Sequence, residues 1–179
     1  MAEKWVAEML RAGALLAFTW LFLAASAAAH HAPSSYLRLD FRAGSVGARL
    51  MVPVSELGFA MQQTPSLQAL PAYLLKHLGA VTPQGAAWTV QFTAVHASTY
   101  LDQEYFVADF TLLPPPGGST RDFTLTSDAV THEVRNHVVI VVAERDSENA
   151  ALESTPVVLG ALQYPARRLV IRPPVIAPR

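Results

Sequence analysis

Residues 36–54 read Tyr36-Leu37-Arg38-Leu39-Asp40-Phe41-Arg42-Ala43-Gly44-Ser45-Val46-Gly47-Ala48-Arg49-Leu50-Met51-Val52-Pro53-Val54, and their period decides the fold. Leu37, Leu39 and Phe41 alternate with Tyr36, Arg38, Asp40 and Arg42. Successive side chains of an extended chain point to opposite faces, so this is a strand with one apolar and one wet face. Val46, Ala48, Leu50, Val52 and Val54 repeat the alternation beyond Ala43-Gly44-Ser45, which supplies the turn of a hairpin.

The same period returns downstream. Trp88, Val90, Phe92 and Ala94 describe a third strand, and Phe106, Ala108, Phe110 and Leu112 a fourth. The fourth stops at Pro114-Pro115-Pro116-Gly117-Gly118, where proline has no N–H to give a ladder. Phe123 and Leu125 mark a short fifth. Val138 to Ala143 is apolar at every position, which predicts a central strand covered on both faces. Val157–Leu162 and Leu169–Ile171 add two more. Between the second and third strands, Leu67, Leu70, Leu74, Leu75 and Leu78 recur at helical intervals. They predict one amphipathic helix with Pro71 in its first turn and its end at Gly79. The expected fold is all-β: an immunoglobulin-like antiparallel β-sandwich of roughly seven to eight strands with one short helical insertion.

Working outward, the 179 residues leave room for one such domain and a targeting segment. Lys4 and Arg11 precede an uncharged apolar stretch, Ala12 to Leu23, and then Ala24-Ala25-Ser26-Ala27-Ala28-Ala29. A positive start, an apolar centre and an Ala-x-Ala exit form a secretory signal helix over 1–29, although Glu3 and Glu8 dilute the start. An uncleaved membrane anchor over the same residues is the alternative. Residues 30–171 are then the sandwich domain, outside the cytoplasmic membrane and in a periplasm if the source has one. Residues 172–179 form a Pro-rich extended tail.

Composition narrows the function. A formal net charge of −1, with no run of Lys and Arg, argues against a nucleic-acid partner. The absence of cysteine excludes disulfides, thiolate metal sites and Cys nucleophiles. No Gly-rich phosphate loop, nucleophile elbow or paired Ser/His/Asp pattern is visible, so an enzyme is not expected.

Histidine carries what chemistry remains. Cleavage after Ala29 makes His30 the first residue, with His31 next. A free amine beside imidazole suits nickel(II) or copper(II), which favour nitrogen donors in a square plane. Thr131-His132-Glu133-Val134-Arg135-Asn136-His137 superficially resembles a zinc-protease helix, but its histidines are five apart rather than four. In extended chain that spacing sends them to opposite faces. His132 and His137 are therefore optional extra ligands to a metal at the N-terminus. The plainer reading gives His132 and Glu133 loop hydrogen bonds and gives Arg135 a surface carboxylate. His77 near a helix end and His96 at a strand rim have no ligand-type neighbour in sequence and default to structure, and Asp102 and Glu104 to a solvated loop.

Two segments carry a resemblance. Ala29-His30-His31-Ala32-Pro33-Ser34-Ser35-Tyr36-Leu37-Arg38-Leu39 resembles the start of the extracytoplasmic region of HupE/UreJ-type membrane proteins. Thr131–His137 with its valine run, followed by Leu159-Gly160-Ala161-Leu162-Gln163-Tyr164-Pro165, resembles the end of that region. In that family the region precedes a transmembrane bundle, and the family is associated with nickel or cobalt uptake for hydrogenase and urease maturation; no such bundle follows Ile171 here. The resemblance implies an accessory role: capturing a metal ion, or docking on a membrane permease of the HupE/UreJ type. A metal-free scaffold holding a membrane protein is the alternative.

Overall fold

The hairpin forms as expected, from β1 (Ser34–Arg42) and β2 (Ser45–Pro53), with Leu37 opposite Leu50 and Leu39 opposite Ala48. A computed structural model of the chain describes residues 34–149, 152 and 155–173. The 1–29 leader, His30, His31 and residues 174–179 of the tail lie outside the described residues. Gly44, at φ 82°, sits in the left-handed region that lets the chain reverse between Arg42 and Ser45.

Strand β2 ends sooner than its pattern suggests. Pro53 cannot donate a further ladder bond, and Val54 opens α1 (Val54–Met61) instead of extending the strand. Leu57 and Ala60 turn inward from α1, and Gln62, at φ 53°, closes it with its N–H on the Phe59 carbonyl. The second helix, α2 (Leu70–His77), has Pro71 in its first turn as expected. It is shorter than the leucine spacing implies. Leu75 is exposed, and Leu78 already belongs to strand β3 (Leu78–Val81). Two helices therefore replace the single expected insertion.

The long hairpin of β4 (Thr89–Tyr100) and β5 (Gln103–Leu113) carries a bulge between Phe92 and Ala94. The extra residue, Thr93, donates its hydroxyl to the Asp109 carbonyl at 3.1 Å. One inserted residue swaps the faces, so Val95 rather than Ala94 turns toward the core. The remaining strands are β6 (Phe123–Ser127), β7 (Val138–Asp146), β8 (Val157–Gln163) and β9 (Arg168–Ile171).

These strands make two sheets, in the orders β4-β5-β2-β1-β7-β8 and β3-β6-β9. The molecule is mostly β, with both sheets contributing to one core. Leu39, Leu50, Phe110 and Val141 of the larger sheet join Phe123, Leu125 and Ile171 of the smaller. Each such side chain, fully buried, stabilises by about 1.5–3 kcal/mol. Trp88 closes one side, with its ring centroid 4.5 Å from that of Phe123. Two expectations are corrected here. β1 and β7 run parallel, because a long excursion through the smaller sheet brings the chain back in the same direction. β7 is fully buried on only one face, through Val139, Val141 and Ala143, while Ile140 and Val142 remain half-exposed. Among the described residues no helix is long and apolar enough to cross a membrane.

Candidate metal centre

Short-range structure brings Tyr73 and His77 together. Four residues apart on α2, they share one face, and their ring centroids are 4.6 Å apart. His77 is the last helical residue, where a cation or an imidazole suits the negative end of the helix dipole. The chain then passes directly into β3, whose first residue, Leu78, pairs with Ser127 of β6. That register sets Asp128 beside His77: its N–H donates to the His77 carbonyl at 3.0 Å, and its Oδ1 lies 2.8 Å from His77 Nδ1.

The turn after β6 folds a second histidine onto the same aspartate. The His132 main-chain N–H donates to the Asp128 carbonyl at 3.1 Å, and His132 Nδ1 lies 2.9 Å from that carbonyl. The two imidazoles stack, with centroids 4.2 Å apart and planes 14° from parallel. Arg167 Nη1 holds the other Asp128 oxygen, Oδ2, at 2.7 Å. His77, Asp128 and His132 each present a ligand-type atom within 4.8 Å of the others, and all three are half-buried.

Backbone strain supports this turn. Val130 is fully buried at φ 68°, a region that β-branched residues rarely enter and that costs on the order of 1–2 kcal/mol. Its N–H donates to the Tyr73 hydroxyl oxygen at 2.9 Å. Burial pushes the Tyr73 phenol up to about 12, so it stays neutral while accepting that bond.

His137 goes elsewhere. The parallel register of β1 and β7 seats it against Ser35, whose Oγ is 2.8 Å from His137 Nε2, and its ring is wholly buried. Its Nδ1 faces Glu56 Oε2 of α1 at 3.9 Å, and neither atom has a hydrogen-bond partner among the described residues. Burial pushes His137 down to about 4 and raises Glu56. Acid, Nδ1, Nε2 and hydroxyl follow the order of a hydrolase relay. Ser35 is only 1% exposed, however, so its hydroxyl lies beneath the surface where no substrate carbonyl reaches it. Ser35 and His137 form a buried pair, with Glu56 beside it.

The structure thus separates residues that the sequence grouped and gathers others that it did not. His132 enters the cluster, His137 enters the core, and the two share no site. His77, expected to be merely structural, becomes the partner of His132, and Asp128 was not singled out at all. Among the described residues Arg135 meets no carboxylate; its guanidinium lies 4.7 Å over the Tyr164 ring. His96 lies within β4 opposite Val107, and Asp102 sits at the exposed tip of the β4–β5 hairpin.

No family model matches the chain, and neither does any curated protein. The geometry therefore carries the functional argument. Two imidazoles and one carboxylate drawn together at a half-buried surface are donor types that nitrogen-preferring cations take.

Proposed function

We propose that the chain is an exported accessory domain that handles a nickel- or cobalt-type ion beside a HupE/UreJ-like membrane permease. The observation that carries this reading is the His77–Asp128–His132 cluster. His132 belongs to the Thr131–His137 segment on which the resemblance rests, and the fold supplies it with a second imidazole and a carboxylate. His30 and His31 remain a second donor set for nickel or copper at a mature N-terminus. We read the architecture as an immunoglobulin-like variant, supported by Trp88 buried between two facing sheets. The parallel β1–β7 pair departs from an all-antiparallel pattern.

Equilibrium dialysis of the whole chain against nickel, cobalt and copper tests the metal reading. Saturable uptake of at least one of them is expected, with magnesium and calcium excluded. Failure of every transition ion to saturate the protein would leave the metal-free scaffold. That rival predicts capture of a multi-span membrane partner that chelators do not disturb.

A further inference from the structure

We propose that one divalent late first-row transition ion, from cobalt to zinc, is bound by the Nε2 atoms of His77 and His132, with Asp128 orienting both rings without ligating the metal. This rests on the metal-handling reading above and specifies its donor atoms. The hydrogen bonds fix the tautomers. A carbonyl oxygen only accepts, so His132 Nδ1, 2.9 Å from the Asp128 carbonyl, carries the proton. The Asp128 carboxylate likewise accepts from His77 Nδ1 at 2.8 Å. In the neutral rings both lone pairs are therefore on Nε2, and both Nδ1 edges turn toward Asp128.

The aspartate is already engaged on both carboxylate oxygens and on its carbonyl. One carboxylate oxygen holds His77 and the other holds Arg167 at 2.7 Å, while its carbonyl receives the N–H and the Nδ1–H of His132. An outer carboxylate and carbonyl that fix imidazole tautomers are the usual support of a histidine-ligated metal. Two nitrogen donors with no ligating oxygen favour imidazole-seeking ions over magnesium or calcium. The strained turn at Val130 is an independent mark of the site. Strain of this kind persists where the surrounding structure over-determines it, and here the Tyr73 hydroxyl and full burial keep Asp128 and His132 on one turn.

Open space borders the His77 ring. A cavity of about 330 Å³ opens between Lys76, His77, Asp128 and Arg167, and another of about 370 Å³ lies between Met61, Tyr73 and His77. A shared ion with metal–nitrogen bonds of about 2.0 Å needs its two nitrogens about 3 Å apart and converging. Rings stacked within 14° of parallel do not converge, so loading must tilt them out of the stack.

Titration calorimetry of the whole chain with nickel(II) and zinc(II) tests the assignment. His30→Ala/His31→Ala is expected to retain a saturable site that His77→Ala/His132→Ala lacks, and Asp128→Asn to weaken that site about tenfold. Binding that survives His77→Ala/His132→Ala and vanishes in His30→Ala/His31→Ala overturns this site and leaves the metal-handling function standing. No binding to the unaltered chain overturns both. Nitrogen-15 NMR of the unaltered protein decides the matter even where a double variant does not fold. Zinc should shift Nε2 of His77 and His132 and leave both Nδ1 atoms protonated; unmoved Nε2 signals at saturation reject the proposal.

Discussion

Arg121 grips Asp146 through both terminal nitrogens, Nη1 to Oδ1 at 2.7 Å and Nη2 to Oδ2 at 2.6 Å, and the Asp146 carboxylate is fully buried at the end of β7. The Glu148 N–H adds a third donor at 3.0 Å. Removing Arg121 leaves that carboxylate buried and short of donors, so Arg121→Ala should cost about 3 kcal/mol in urea unfolding. Asp146→Ala should cost a comparable amount, and the double variant clearly less than the sum. Additive losses would show that the two groups do not depend on each other. The guanidinium also holds Asp146 below its ordinary carboxyl range. The folded state resists protonation there, so this contribution is complete above the ordinary carboxyl pKa and fades in stronger acid.

His137 titrates in a different window. Its folded pKa of about 4 lies below the ordinary 6.5, so between these values the unfolded chain binds a proton that the folded chain refuses. Stability should therefore fall by about 2 kcal/mol between pH 7 and pH 5 from this group alone. Glu56 acts oppositely: its raised pKa makes the folded state the better proton binder, which offsets part of the loss. Comparing the unaltered protein with His137→Gln at both pH values isolates the histidine. Parallel urea midpoints across that range in the two proteins would rule out the buried neutral ring.

Tyr73 links the helix to the strained turn. Tyr73→Phe keeps the ring packing but strands the buried Val130 N–H, and should destabilise by about 1–2 kcal/mol. Metal affinity should fall with it, because the turn positions His132. A variant with normal stability and unaltered nickel binding would mean that the hydroxyl does not hold the turn.

Gly160 marks where the edge strand β8 approaches β9. A Cβ added there would meet Leu169 Cδ1 at 2.8 Å, on a backbone with φ at 156°. Leu169 Cδ1 ends a flexible side chain and can give way, but a φ that L residues rarely adopt adds backbone strain, so Gly160→Ala should cost about 2–4 kcal/mol. A thermal melt that does not move would show that Leu169 swings aside and that the backbone at residue 160 relaxes without cost.

Most of the strand layout was legible because alternation is a local signal. Leu37 to Phe41, Val46 to Val52 and Ala108 to Leu112 all face where their period sends them, whereas Tyr105 and Val107 are buried on the face expected to be wet. What escaped was set by partners distant in sequence or by one-residue events. Val54 fits a strand pattern until the proline before it ends the ladder, and the Thr93 bulge reverses the faces of β4. The candidate site was half legible. His132 stood out in a histidine-bearing motif, whereas His77 gains its meaning only from the four-residue strand β3, which reads as the end of a helix. Asp128 gives no warning in sequence, since an aspartate after a strand is ordinary turn chemistry.

The parallel pairing of β1 with β7 also constrains the order in which the molecule assembles. Strand β1 is made long before β7, yet the two lie side by side, with Ser34 opposite Val138. The sheet's middle therefore stays open along one side until nearly the whole domain is available, a long-range closure of the slow-folding kind. A chain built this way stays unlocked for most of its length, and it closes once the last third is present.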